Sequence, residues 1–290
     1  MHIQSLLRIL LVSVSVIAQE SQKCGTNEPS ADVLAVDQWR KQTSGSKSSL
    51  KLREQREGLV IPTYFHVVES QEKNGSITTQ MLQDQLSVLT STFAPHNITF
   101  NLLATTFTTN DSWAAVIQHR DMSLALRRGD YATLNIYFQT GMSGVPGGIT
   151  GLCNFPVADP LGTGINGTSY YVFDGCHVNP DTLPGGPGGG YLGLDDAGKT
   201  ATHEVGHWFG LLHTFDGFEC GGEGDGVADT PAQSEATQGC PVGKDSCPGE
   251  GGVDPVHNYM DYSSDECKTE FTPDQEDRMY EIFYSLRRGK

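Results

Sequence analysis

The sequence predicts an α+β fold, and three features carry that reading. Strand-like and helix-like runs mix without the regular alternation of a parallel α/β sheet. A long β-branched and aromatic run, Leu59-Val60-Ile61-Pro62-Thr63-Tyr64-Phe65-His66-Val67-Val68, leads into a helical pattern. The stretch between Cys220 and Cys267 is dense in Gly, Asp and Pro with little apolar periodicity, so it reads as irregular chain.

The elements follow in order. Leu59 to Val68 is a strand. Ser76 caps a helix running to about Phe93, with Met81, Leu82, Leu86 and Leu89 on one side. Ile98 to Phe107 and Leu134 to Phe138 are further strands. Thr200 starts a helix carrying His203 and His207. Pro273, after Thr272, starts a C-terminal helix with Met279, Ile282, Phe283 and Leu286. There are no internal repeats, and 290 residues less processed segments make one domain with a sizeable core.

The run His203-Glu204-Val205-Gly206-His207-Trp208-Phe209-Gly210-Leu211-Leu212-His213 reads H-E-x-x-H-x-x-G-x-x-H. Histidines four apart lie on one helix face and can hold one Zn²⁺ at about 2.0–2.1 Å each. Gly210 lets the chain leave the helix and return His213 as a third ligand. Three protein ligands leave a position open, which marks a catalytic rather than a structural zinc. Glu204, beside the first ligand, is placed to act as a general base on an attacking water. Farther on, Asn258-Tyr259-Met260-Asp261-Tyr262 supplies a methionine and a tyrosine whose phenol could hydrogen-bond an oxyanion.

Thr214 follows the third histidine, where other metzincin families tend to place Asp, Glu, Ser or Pro. With Gly224 to Pro231, Gly239-Cys240-Pro241, Asp245-Ser246-Cys247-Pro248 and Asp254 to Tyr262, the chain resembles the pappalysin family of metzincin zinc metalloproteases. It is most like that family's small secreted fungal-type extracellular members, over most of the chain from about Leu59 onward. The resemblance implies a small twisted mixed sheet, a backing helix, a zinc-binding helix, and an irregular disulfide-linked subdomain ending in a helix. It implies one Zn²⁺ per chain held by His203, His207 and His213, with catalysis by Glu204 and Tyr262. It also implies a Met-turn at Met260 beneath the metal, and protein or peptide substrates. Competing readings are a zinc-containing binding homologue without catalysis and a hydrolase of a non-peptide amide. The intact Glu204 and the open position weigh against the first.

Met1 to Ala18 reads as a signal peptide, with Arg8, an apolar run from Ile9 to Ile17 and a small-residue cleavage site. The run is too short for a membrane span, and a secreted, extracellular monomer is expected. Sequons at Asn74, Asn97, Asn110 and Asn166 fit that route. Residues 19–58 read as a pro-segment and linker, with Ser44 to Ser49 flexible and Lys51, Arg53 and Arg56 as exposed cleavage points. The catalytic domain is then 59–290. A net charge of −16, from 35 acidic and 19 basic residues, argues against a nucleic-acid surface.

Seven cysteines in an exported chain imply disulfides with one thiol over. For Cys220, Cys240, Cys247 and Cys267 the sequence alone allows three pairings. The resemblance implies Cys220–Cys247 and Cys240–Cys267. Cys153 and Cys176 could pair together. Cys24 is then a free thiol that could fill the open zinc position as a cysteine switch, or it pairs with Cys153 or Cys176. Asp225 and Asp229 offer hard oxygens suited to Ca²⁺. Gly193 to Thr200 fits the pattern G-x-x-x-x-G-K-[ST], but Pro184 to Gly190 cannot be the strand a phosphate loop needs. Asp195 and Asp196 would also repel phosphate, so no nucleotide is expected.

Overall fold

The computed structural model describes residues 24–26, 28–43, 56–115, 117–143, 148–164, 167–190 and 193–290. The signal peptide, Ser44 to Ser49, Lys51, Arg53 and Asn166 lie outside these. Helix α1 (Ala31–Thr43) precedes strand β1 (Leu59–Glu69), helix α2 (Thr79–Phe93) and strand β2 (Ile98–Thr109). Short helices α3 (Asp111–Ala115) and α4 (Arg120–Leu126) lead to β3 (Leu134–Gln139), β4 (Gly151–Cys153), α5 (Tyr170–Phe173) and β5 (Cys176–Val178). Helix α6 (Lys199–Trp208) and helix α7 (Pro273–Ile282) complete the chain. The strands form one five-stranded mixed sheet, ordered β2-β1-β3-β5-β4. All pairs are parallel except β4 with β5. This is the small mixed sheet expected.

Pro62 sits in a strand with neighbours on both sides, where a missing N–H is normally costly. The structure resolves this: β3 pairs β1 only from Thr63 onward, so Pro62 lies where that side is still open. Beyond it β1 is buried on both faces. On one face, Phe65 and Val67 join Ile136, Phe138, Leu89, Phe93, Val205 and Trp208 in the main core, with α2 and α6 as cover. On the other, Val68, Met122, Leu126 and Tyr137 pack under α3 and α4. Those two helices, the three-residue strands β4 and β5, and α1 were not read from the sequence.

The α2 cap differs from expectation. Thr78, not Ser76, is the N-cap, accepting from the Met81 N–H. Ser76 is drawn away because Glu69 organises the preceding turn. Its carboxylate accepts from Gly75 N, Ser76 Oγ and Ile77 N, and a charged acceptor outcompetes a hydroxyl. Arg56 also departs from its reading as exposed. It pairs with Asp277 at 2.9 Å and lies over the Tyr280 ring.

Helix α7 begins as predicted, with Thr272 and Gln275 forming a reciprocal capping box and Pro273 in the first turn. Its end widens into a π-helical turn, Phe283–Arg287. That turn delivers the fully buried Arg287 to the C-terminus of α6, where its Nε donates to the Trp208 carbonyl at 2.8 Å. A cation there meets the negative end of the helix dipole. Asp174 balances it at 3.0 Å. The irregular segment after α6 is stapled by Cys220–Cys247 and Cys240–Cys267, the pairing the resemblance implied. Each closes a loop of 27 residues, worth roughly 3–4 kcal/mol by chain entropy. Cys153 pairs with Cys176, and Cys24 is free.

Two features of this core are testable. A Cβ on Gly206 would strike the Met260 sulfur. In a free helix Gly→Ala gains about 1 kcal/mol. Overpacking here costs about 1–3 kcal/mol, so Gly206→Ala lowers the melting temperature instead of raising it. Second, His66, Tyr137 and His177 stack at 4.9 Å intervals under the sheet. Burial pushes His66 down to about 4 and His177 to about 3. The folded chain therefore refuses protons that the unfolded chain takes up below about 6.5. Their stabilisation is full above that pH and is lost as pH falls through 4 and then 3. Denaturant titrations should show a shallower acid loss in His177→Gln, by up to about one proton in slope.

Candidate active site

The local sequence places His203 and His207 one above the other on α6, with every residue from Thr200 to Trp208 buried. The helix ends where the chain turns at Gly210, whose φ of +87° favours glycine. Ile282 of α7 fills the space a Cβ would need there. The turn brings His213 back, so that His207 Nε2 lies 3.2 Å from His203 Nε2 and 3.1 Å from His213 Nε2.

These contacts are not hydrogen bonds between rings. His203 Nδ1 lies 2.7 Å from the Tyr259 carbonyl and His207 Nδ1 2.8 Å from the Leu211 carbonyl. A carbonyl only accepts, so each Nδ1 carries the proton. Burial and the neighbouring imidazoles hold both rings well below the usual histidine range, hence neutral. Their Nε2 atoms therefore present lone pairs to one another. A cation between them relieves that repulsion. Bonds of 2.0–2.1 Å around a tetrahedral zinc put ligand nitrogens about 3.3 Å apart, close to the spacing here. The donor set fits zinc.

Cys24 completes the cluster. Its sulfur and the three histidine nitrogens all lie within 4.8 Å of one another. Gly25 N donates to the Gly151 carbonyl at 2.8 Å, pairing this segment with β4. Glu204 is fully buried against Gly151, where any Cβ would strike its carboxyl. Thr26 Oγ1 donates to Glu204 Oε2 at 3.1 Å, and the Cys24 sulfur is 3.6 Å from the same oxygen. Burial pushes Glu204 up to about 8, against the hydrogen bonds from Cys24 and Thr26. Burial and the Glu204 charge push the Cys24 thiol up as well. A cation among the imidazoles offsets both, stabilising thiolate and carboxylate together. The role of Thr26 was not read from the sequence; nothing local marks it.

Met260 and Tyr262 both lie beside the histidine-bearing helix and its cluster. Met260 is fully buried against Gly206. The Tyr262 hydroxyl is 3.3 Å from His213 Nε2 and donates to the Cys24 carbonyl at 3.4 Å. The turn is fixed by Asp261, which accepts from Thr237 N and Gln233 Nε2. Asn258 and Gln275 exchange side-chain hydrogen bonds and tie it to α7.

The two calcium candidates face different partners. Asp225 is buried, accepts from Val227 N and Thr230 Oγ1, and is pushed up to about 7 by burial. Asp229 caps the start of α7 by accepting from Asp274 N. Among the described residues, the single group of three or more His, Cys, Asp or Glu able to share a metal is the Cys24–histidine cluster. Of the sequons, Asn74 and Asn97 are exposed, while Asn110 is half-buried and caps α3.

Helix α1 packs against α7. Val33 packs with Ile282 and Leu286. Its buried Asp37 meets Arg40 at 3.1 Å and Arg278 at 3.5 Å. Arg40 also donates to the Gly226 carbonyl. Among the described residues no helix is long and apolar enough to cross a membrane.

Comparison with known proteins agrees with this geometry. The family model described as pregnancy-associated plasma protein-A peptidase matches residues 134–284. An extracellular metalloprotease of Colletotrichum graminicola is 46% identical over 266 residues, covering 91% of this chain and 90% of that protein. Extracellular metalloprotease 1 of Coccidioides posadasii is 50% identical over 233 residues, covering 79% of each. Among solved structures, mature mirolysin of Tannerella forsythia, in complex with a cleaved peptide, superposes with a TM-score of 0.63 at 26% identity. That match covers 79% of this chain and 92% of mirolysin. A promirolysin mutant superposes at 0.64 and 25% identity, covering 90% of this chain and 94% of the other. The histidine cluster, the sheet and the relatives converge on one assignment: the chain belongs to the pappalysin family of metzincins and is a zinc metalloprotease.

Proposed function

We propose that this chain is a secreted endopeptidase, folded here in its latent form, in which Glu204 is the general base for peptide-bond hydrolysis. The observation that carries the reading is the convergence of three histidine nitrogens, a buried carboxylate and a displaceable thiol on one point. His203, His207 and His213 would hold the metal. When bound, zinc polarises the scissile carbonyl and lowers the pKa of a water toward about 7. Glu204 takes a proton during attack and returns it to the leaving amine. Its burial against Gly151 keeps that transfer out of bulk water. Tyr262 is within reach to donate to the oxyanion, and Met260 supports the ligand rings from below. The extracellular names of the fungal relatives support export through the N-terminal signal.

Latency follows from what Cys24 and Thr26 touch. The sulfur would supply a fourth ligand to the metal, and the Thr26 hydroxyl donates to the general base, so one short segment would block both halves of the chemistry. The promirolysin match extends over more of this chain than the mature form does, which supports reading the N-terminal segment as a pro-segment. Activation then requires removing residues up to about Gly58.

Zinc content and peptide hydrolysis on the trimmed protein test this reading. Glu204→Gln should keep one zinc per chain and lose at least about 10³-fold in kcat; substantial residual turnover would sink the assignment. In the untrimmed chain, Cys24→Ala should raise basal activity. Asp37→Ala should do so as well, because breaking a buried ion pair costs about 3–5 kcal/mol and loosens α1. The trimmed enzyme, which no longer contains Asp37, should be indistinguishable whichever precursor it came from.

A further inference from the structure

Strand β2 forms the sheet edge opposite β4, with β1 as its one neighbour. Among the described residues, no backbone group bonds to its outer side. Native proteins guard such an edge with lysines, other charges or proline. The 12 residues of β2, Ile98–Thr109, include no charged residue, no proline and no glycine. They are rich in threonine and aromatic residues that favour extended chain. Leu103 is 49% exposed and Phe107 54% exposed. The strand's one irregularity is a bulge at Leu103, with paired runs at 98–102 and 104–109 on either side. Each run is still long enough to template another strand.

Two exposed sequon asparagines stand at the two ends of this strand. Asn97 immediately precedes it, in a left-handed turn with φ of 56°. Asn74 reaches the far end, where its Oδ1 accepts from the Thr109 hydroxyl at 2.8 Å. Among the described residues neither Nδ2 donates a hydrogen bond, and Nδ2 is the atom a glycan is joined to. We propose that Asn74 and Asn97 carry N-linked glycans, and that these cover β2 in place of the charges it lacks. The glycan at Asn97 shields residues 98–102 and the glycan at Asn74 shields 104–109. Attachment joins Nδ2 to the anomeric carbon of an oligosaccharide carried on a lipid pyrophosphate. Nδ2 gives up one proton, and the lipid pyrophosphate leaves with the bonding electron pair. At Asn74 the Oδ1 contact with Thr109 survives that step and holds the glycan stem beside the strand. A bulky, hydrated glycan obstructs an incoming chain without adding charge. The inference rests on the export reading above, because attachment belongs to the secretory route.

The test uses the full chain, expressed in a eukaryotic host that attaches N-glycans and recovered from the medium. In that form the Cys24 segment pairs with β4, so β2 is the sheet edge left open. Enzymatic glycan removal converts each occupied asparagine to aspartate, and peptide mass spectrometry should find that conversion at Asn74 and Asn97. Ser76→Ala with Thr99→Ala removes both sequons while Asn97 keeps its place in the left-handed turn. With melting temperature verifying the fold, this double variant should lose monomer to β-rich aggregates on storage, while wild type stays monomeric in light scattering. Adding Asn101→Lys and Phe107→Lys, one on each side of the bulge, should restore the monomer. Bare Asn74 and Asn97 in exported protein would overturn the proposal. So would a double variant as monomeric as wild type, or aggregation that the lysines do not reduce. Protein that lacks glycans because it never leaves the cell overturns the export reading too, so the two failures are distinguishable.

Discussion

Two hydrogen bonds fix the chemistry of the site: those from His203 and His207 to the Tyr259 and Leu211 carbonyls. Each sets a tautomer, and the tautomer decides where the lone pair points. Without them the rings could turn, and the cluster would be three histidines with no shared purpose. Much of the remaining structure holds those two carbonyls still. The Asn258–Gln275 exchange and the Asp261 contacts fix the loop bearing Tyr259. Gly210 and Ile282 shape the turn bearing Leu211.

The two anchors lie at very different distances along the chain, which couples the subdomains. His207 is anchored by its own helix end, His203 by a loop 56 residues away. The loop is kept against α6 by close contact of Gly206 with the Met260 sulfur, a fit that tolerates no additional atom. Arg287 ties the C-terminal end of the same helix to the last helical turn. Unfolding of the lower part would therefore release a metal ligand from the upper part, so metal retention and C-terminal order should be lost together.

The histidine cluster was legible because its spacing is local: four residues span one helical turn, and one glycine marks the exit. Strand β1 and helices α2 and α7 were legible from periodicity and caps. The misreadings came from competition or brevity. Ser76 loses its cap role to the charge of Glu69, a residue on the preceding strand. Strands of three residues, such as Gly151–Cys153, are too short to alternate. Helix α1 is short of apolar periodicity, and its hold comes from Asp37 with Arg278, 241 apart in number, as well as from Val33 against Ile282 and Leu286. Thr26 acquires meaning only through its contact with Glu204, made across the fold.

The pairing of Gly25 with Gly151 has a consequence beyond blocking the cleft. Strand β4 is the last in the sheet, and an edge strand with unpaired backbone groups is a template for any extended chain. In this structure that edge is covered by the protein's own N-terminal segment. If the proposed pro-segment is removed, the uncovered edge becomes a template for a substrate backbone and equally for another copy of the enzyme. Under the proposed activation, access to the cleft would therefore come with the loss of a cover against self-association.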